Sequence, residues 1–402
     1  MGNIIKKGNY VMKIVLITSR YYPYITGGAQ ISNKILVEGI KRRNIDIEVI
    51  SLGEKNNIEN INNIKITRLY LSKLTTKYLK KIPFKKKSEK IKFALINNFH
   101  IYDYLIYKKI FNILKKYPKD TIIHTSDMHS FYQIFWWKAA KKNNLKVIHT
   151  LRDPFFIKEI TLGGKKNILI NYINCLRKFI FRYYSKKYID YVHSPSEYMI
   201  KVHKKNNFNF KKVKVIYNTI DINIINSKFE EKTIDILYVG RIIKEKGIEL
   251  LIKTLQDTKL VQNTLFIGDG DLKNKVIKNN IKITGWLNSN CVYEYMKKAK
   301  IIILPSKWEE AFGRVLIEGI ANGTLVIGSN KGAIPEVLGN RDLYLFNVEN
   351  GNELERKIKR ILLLSKDEYE KEVKELQKFI KKYEYDNHIR EFEKFYEDVI
   401  KS

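Results

Sequence analysis

Short β-branched runs recur along the chain, each followed by a longer stretch in which apolar residues are spaced three and four apart. The runs are KIVLIT (13–18), IDIEVI (45–50), TIIHT (121–125), KVIHT (146–150), YVHS (191–194) and VKVIYN (213–218). After a polar stretch over roughly 222–233 a second series follows: DILYVG (235–240), TLFIG (264–268), IKITG (281–285), IIILP (301–305) and TLVIG (324–328). These runs predict strands, and segments such as ISNKILVEGIKRR (31–43) and IELLIKTL (248–255) predict amphipathic helices between them. Alternation of that kind implies parallel sheets with crossover helices, and two series imply two doubly wound α/β domains facing each other. Ligands in such folds bind beyond the carboxyl ends of the strands, so a cleft between the domains is the expected site.

Composition supports two globular domains and excludes a disordered chain: 402 residues exceed one ordinary domain, and 44% are hydrophobic. Lys and Arg number 75 against 42 acidic residues, a formal net charge of +33. That field attracts nucleic acid, anionic lipid headgroups or phosphorylated small molecules without choosing among them. A Lys-, Ile- and Asn-rich source genome would give the same excess. Cys175 and Cys291 sit in no CxxC or metal-ligand spacing, so neither a zinc site nor a disulfide framework is expected, and a reducing cytoplasm fits. No apolar run approaches the ~20 residues needed to cross a bilayer, and the amino terminus lacks a signal-peptide cleavage pattern. MGNIIK opens like a myristoylation signal but carries Lys6 where Ser or Thr is required, and Met12 is an alternative start.

The turns after the strands carry the candidate chemistry. TSRYYPYITGGAQ (18–30) ends with Gly27-Gly28 before a helix, where backbone N–H groups can approach an anion; a plain loop is the other reading. VGRIIKEKGIELL (239–251) places Arg241 just past a strand and Lys246 just before a helix. Both cations face one point, as a diphosphate leaving group requires, unless they are simply solvated. FIGDGDLK (266–273) puts a tight glycine turn at Gly268. In IIILPSKWEEAFGRVLIEGIANG (301–323) a strand ends at Pro305 and Phe312-Gly313 mark a helix entry, where N–H groups can contact a phosphate closely. Glu318 then points back toward the helix start. Its carboxylate cannot share a phosphate site but suits a pair of sugar hydroxyls.

At this point the chain resembles the retaining glycosyltransferases of family 4, which have the GT-B architecture of two Rossmann-like domains across a cleft. The resemblance covers almost the whole chain. Its strongest part is Glu-x7-Glu, Glu310 to Glu318, with Phe-Gly inside it, followed by ANGTLVIGSNKGAIPEVL (321–338). The resemblance implies that Glu310 contacts the donor sugar and Glu318 the nucleotide ribose. It implies that backbone N–H groups of Phe312, Gly313 and Arg314 hold the donor phosphates. Arg241 and Lys246 match the pair that neutralises the leaving diphosphate, and Gly27-Gly28 the glycine loop near acceptor and phosphates. TGWL (284–287), with Gly285 and Trp286, resembles the turn that frames the nucleobase. IYNTID (216–221) resembles an interdomain Pro-Asn-Gly-x-Asp segment, with Tyr217 and Thr219 in place of Pro and Gly. The expected division is an acceptor domain over 12–221, a donor domain over 222–382, and a helix over 383–402 that crosses back.

One departure stands out. Many members carry His-Asp after the strand corresponding to KVIHTLRDPFF (146–156), where this chain has Arg152 before Asp153. Arg152 then contacts an anionic acceptor or the donor and Asp153 a sugar hydroxyl, or the two form an ion pair at a strand end. His149, three residues earlier, is not expected to substitute.

The implied reaction transfers sugar with retention from a nucleotide-diphosphate sugar, UDP- or GDP-sugar first, to a glycan or lipid-linked acceptor in cell-surface polysaccharide or glycolipid synthesis. No cofactor and no metal are implied, because protein cations stabilise the departing diphosphate. DGD (269–271) is read as a structural turn. KYLKKIPFKKKSEKIKF (77–93) and KKNILINYINCLRKFIFRYYSKKY (165–188) are either solvated helices or a peripheral contact with an anionic membrane from the cytoplasmic side. SFYQIFWWKAA (130–140) reads as a buried helix. Two other classes compete. An oxidoreductase lacks its Gly-x-Gly-x-x-Gly, and a nucleic-acid binder lacks any recognised module, so nucleic acid is not an expected partner. A non-catalytic sugar-nucleotide-binding relative is the closest rival, because of Arg152.

Overall fold

The computed structural model describes residues 12–25, 27–80, 104–128, 132–157, 168–220 and 229–402. Residues 81–93 of the first basic run, and Asp221, fall outside them. The chain divides into two compact units: Met1–Pro195 with Ile200–Ile216 and Ile389–Ser402, and Ser196–Met199 with Tyr217–His388.

Among the described residues the first unit holds an eight-stranded sheet. Its strands are β1 (Lys13–Thr18), β2 (Asp46–Leu52), β3 (Asn57–Ile61), β4 (Ile64–Leu69), β5 (Ile122–Ser126), β6 (Lys146–Thr150), β7 (Tyr191–Ser194) and β8 (Val213–Val215), in the order β3-β4-β2-β1-β5-β6-β7-β8. Ile14, Val15, Leu16 and Ile17 of β1 are fully buried, as a central parallel strand covered on both faces requires. All pairings are parallel except β3 with β4. That hairpin turns at Asn62 and Asn63, with φ of 52° and 60°, the left-handed pair a tight two-residue hairpin needs. The helix Gln133–Lys142 buries Trp136 and Trp137 completely, as expected of SFYQIFWWKAA.

The second unit holds β9 (Ile234–Val239), β10 (Thr264–Ile267), β11 (Lys282–Ile283), β12 (Ala299–Leu304), β13 (Leu325–Ser329) and β14 (Leu345–Phe346), all parallel, in the order β11-β10-β9-β12-β13-β14. Ile301, Ile302, Ile303, Leu325, Val326 and Ile327 make its centre dry. The crossover helices Ile248–Asp257 and Arg314–Ala321 pack Leu251, Leu255, Leu316 and Ile320 onto it.

Of the terminal helix Tyr385–Lys401, the part from Ile389 onward belongs to the first unit. Ile389, Phe392, Phe395, Tyr396 and Val399 are buried. The Tyr396 hydroxyl lies 2.7 Å from His124 Nδ1, His124 Nε2 2.6 Å from Thr150 Oγ1, and Thr150 Oγ1 2.9 Å from His193 Nδ1. Lys146 also donates to the Val399 carbonyl at 2.8 Å. Burial, then the charges of Arg152 and His149, drives the His124 pKa well below its usual value, which favours the neutral imidazole at this position.

Candidate active site

In the second unit the loops after β9 and β12 are tied together through one carbonyl. Glu245 O accepts from the amides of Lys307 at 2.9 Å and Trp308 at 3.0 Å. Gly247, at φ 72°, ends the short turn Lys244–Lys246 against Pro305, where a Cβ would stand 1.8 Å from the Pro305 carbonyl oxygen. Only glycine permits that approach. The consequence is that Lys246 Nζ forms an ion pair with Glu310, and both side chains are largely buried. Glu310 is fixed from its other side by Gly332, whose Cβ would lie 2.3 Å from the Glu310 nitrogen. Ala333 N donates to Glu310 O at 2.8 Å. Burial, and secondarily the Glu310 charge, raises the pKa of the Tyr238 hydroxyl, which donates to Arg241 O at 2.7 Å. Arg241 itself is exposed.

The helix Arg314–Ala321 starts on Gly313 in the left-handed region, φ 87°, and no capping side chain covers its first turn. Positive potential from the helix start therefore remains at the loop end. Arg314 reaches one turn along to Glu318, Nη2 to Oε1 at 2.7 Å and Nε to Oε1 at 3.2 Å. The Phe312 ring is buried against Tyr383, 5.3 Å between centroids, and Tyr217 at 6.3 Å. Its contribution at the surface of the loop is therefore backbone only.

Gly268 follows β10 with φ 140°, and its amide donates to Gly285 O at 2.9 Å. A Cβ there would come within 1.9 Å of Gly240 O, so the ends of β9, β10 and β11 close together only around glycine. Gly285 faces open space and Trp286 is 55% exposed beside it. Asp269 bonds the Gly270 amide at 2.8 Å and pairs with Lys273 at 3.8 Å. Among the described residues no group of three or more His, Cys, Asp or Glu side chains is placed to hold a metal ion.

In the first unit Gly27 is extended and Gly28 begins the helix Gly28–Arg42. One turn on, Asn33 Oδ1 accepts from Ser126 Oγ at 2.8 Å and from Arg152 Nη2 at 2.8 Å, while Arg152 Nε donates to Ser126 at 3.0 Å. Arg152 is thereby clamped to the ends of β5 and the first helix. Asp153 accepts from the Phe155 amide at 2.9 Å. His149 is buried, 5.0 Å from the Trp137 ring and stacked on Phe156 at 5.3 Å. It does not stand where Arg152 stands.

The second unit thus carries Arg241, the Lys246–Glu310 pair, Gly313 and the Arg314–Glu318 pair in the segments that follow the carboxyl ends of β9 and β12, and the first ties Arg152, after β6, to Asn33 and to Ser126 at the end of β5. Two family models match consecutive stretches: Glycosyltransferase Family 4 over residues 26–224, and Glycosyl transferases group 1 over residues 220–384. The chain belongs to the family 4, group 1 glycosyltransferases.

An uncharacterized glycosyltransferase of Methanocaldococcus jannaschii is 28% identical over 97% of this chain and 99% of its own. The capsular polysaccharide biosynthesis glycosyltransferase CapH of Staphylococcus aureus is 26% identical over 55% of this chain and 62% of its own. An N-acetylgalactosaminyltransferase of Campylobacter jejuni, named for a diphospho-undecaprenol acceptor, is 30% identical over 38% of this chain and 45% of its own. Among solved structures, sucrose-phosphate synthase from Thermosynechococcus elongatus matches with a TM-score of 0.74 at 17% identity, covering 96% of this chain and 99% of that one. Anabaena HepE in complex with UDP and glucose matches with 0.69 at 13% identity, covering 96% and 99%. The fold is GT-B.

For this glycosyltransferase the sequence reading missed Asn33, Ser126, Tyr238 and Gly332. Gly332 had the clearest signal, since it stands in the GAIPEVL turn directly after β13. Asn33 had only its place one turn beyond Gly28.

Proposed function

We propose that this glycosyltransferase takes a sugar from a nucleotide-diphosphate donor, UDP- or GDP-linked, and transfers it with retention of anomeric configuration to a glycan or lipid-linked acceptor, in the cytoplasm, during cell-surface polysaccharide or glycolipid synthesis. The observation that carries the proposal is the placement of two salt-bridged pairs, Lys246 with Glu310 and Arg314 with Glu318, around the uncapped helix start at Gly313. Cations and backbone amides suit the diphosphate, and the carboxylates suit the hydroxyls of sugar and ribose. The complex of HepE with UDP and glucose supports a uridine nucleotide, and the names of the S. aureus and C. jejuni relatives support an acceptor of the cell surface.

In this reading the second unit holds the donor and the first unit the acceptor, with Trp286 and Gly285 framing the base. As the C1–O bond to the diphosphate breaks, charge grows on the phosphate oxygens. Arg241, Lys246 and the amides of 312–314 stabilise it there. The acceptor oxygen attacks from the same face, and its proton passes to the departing phosphate oxygen, so neither a metal nor a dedicated base is needed. Arg152 orients the acceptor or donor, and Asp153 accepts a sugar hydroxyl. Incubation with UDP- and GDP-sugars and a panel of lipid-linked and glycan acceptors, with and without EDTA, tests the reading. It expects EDTA-insensitive transfer to a product of unchanged anomeric configuration by NMR. An inverted product, or loss of transfer on chelation, contradicts it.

A further inference from the structure

The helix Ile168–Tyr188 is turned the opposite way from an ordinary amphipathic surface helix. Its buried positions run Asn174, Arg177, Phe181, Ser185 and Tyr188, at intervals of three and four, and three of them are polar or charged. Ile168, Tyr172, Leu176, Phe179 and Tyr183 form the opposite stripe, between 41% and 90% exposed. Intervals of four, four, three and four place them along one line of the helix surface.

This orientation is fixed from inside. Arg177 donates to the carbonyls of Phe155 and, at 3.3 Å, Phe156, and its guanidinium lies 4.6 Å from the Phe155 ring centroid. Rolling the helix to bury its apolar stripe would break these bonds and leave the Phe155 and Phe156 carbonyls without that partner. The stripe therefore faces outward as a settled feature of the fold.

Charge decides what fits it. The helix carries Arg177, Lys178, Arg182, Lys186 and Lys187 and not one Asp or Glu. Lys186 and Lys187 are exposed at its carboxyl end, where the Lys187 ammonium lies 3.0 Å from the Tyr183 hydroxyl and 5.3 Å from that ring's centroid. A second copy of the chain would bring the same cations against these. A surface that is anionic on the outside and apolar just beneath matches both features at once. The aromatic members suit it further, because Tyr has an apolar body and a polar tip. Among the described residues no helix is long and apolar enough to cross a membrane.

We propose that the outward face of the helix Ile168–Tyr188, through Tyr172, Leu176, Phe179 and Tyr183 with Lys186 and Lys187, docks this protein onto the interface of an anionic phospholipid bilayer. The proposal needs no particular donor or acceptor and stands apart from the reaction assigned above.

The test is co-sedimentation of the full-length protein with vesicles of phosphatidylcholine alone, or of phosphatidylcholine and phosphatidylglycerol in equal parts. It compares wild type, Tyr172→Ser/Phe179→Ser/Tyr183→Ser and Lys186→Glu/Lys187→Glu. Melting curves confirm that the variants are folded, and sedimentation velocity gives the oligomeric state without vesicles. The expected result is wild-type binding to the anionic vesicles only, with the bound fraction falling about fivefold or more in both variants. Binding unchanged in the aromatic variant would assign adhesion to the general field of the chain and overturn the proposal. So would a wild-type protein that ignores anionic vesicles, or a wild-type dimer dissolved by the aromatic substitutions.

Discussion

Gly332 lies so close to Glu310 that a Cβ at position 332 would stand 2.3 Å from the Glu310 nitrogen and 2.4 Å from its carbonyl oxygen. The glycine is also left-handed, at φ 63°. Gly332→Ala is therefore expected to strain its own backbone and push the Glu310 loop outward. The expected cost is on the order of 1–3 kcal/mol by chemical denaturation, with a turnover loss of about a hundredfold. A variant with normal turnover would show that Glu310 need not be held where it is.

Lys246 and Glu310 form a pair with side-chain exposures of 17% and 14%, so removing one partner strands a largely desolvated charge. Lys246→Ala and Glu310→Ala should each destabilise by on the order of 1–3 kcal/mol, and the double variant by less than the sum. Denaturant melts of the four proteins measure the coupling. In transfer assays both single variants should lose about a hundredfold or more, since each removes a group assigned to the donor.

Arg152 is clamped by Asn33 and Ser126, within the first unit. Arg152→Ala is expected to lower turnover and raise the acceptor KM by about tenfold or more while leaving nucleotide affinity unchanged. Asn33→Ala should show a weaker form of the same pattern, because it loosens the clamp without removing the charge. Loss of nucleotide affinity in Arg152→Ala would instead place this side chain on the donor.

Lys232 is buried with its ammonium 2.8 Å from the carbonyl oxygens of Lys297 and Gly323. Burial lowers its pKa to about 7, against 10.5 for an ordinary lysine, with Glu231 opposing the shift. Between those values the unfolded chain holds a proton that the folded chain has released, so stability rises with pH, by at most about 1.4 kcal/mol per unit. Lys232→Met should lack that rise. Denaturation of both proteins from about pH 6 to about pH 10 checks it, and parallel curves would contradict the assignment.

The strands were legible where runs such as KIVLIT and IIILP have wholly apolar centres, because the middle of a strand covered on both faces leaves no polar position. β3 and β4 were not. NIENI is mostly exposed, and its turn uses Asn62-Asn63 in place of the more telling Asn-Gly. At the site, the spacing of Glu310 and Glu318 around Phe312-Gly313 was readable. Their partners were not fully so. Arg314 lies one helical turn from Glu318, but Lys246 reaches Glu310 only because the Glu245 carbonyl ties down Lys307 and Trp308, more than sixty residues on. Such a tie uses backbone atoms and leaves no mark in residue type. β6 turns His149 inward against Trp137.

We propose that Glu318, held by Arg314 at the helix start, grips the nucleotide of the donor. Calorimetric titration of wild type, Glu318→Gln and Glu318→Ala with UDP, GDP and ADP tests this. One diphosphate is expected to bind wild type selectively, with affinity falling about tenfold or more in Glu318→Ala. Folded wild type that binds none of the three, or Glu318→Ala that binds as tightly as wild type, would contradict it.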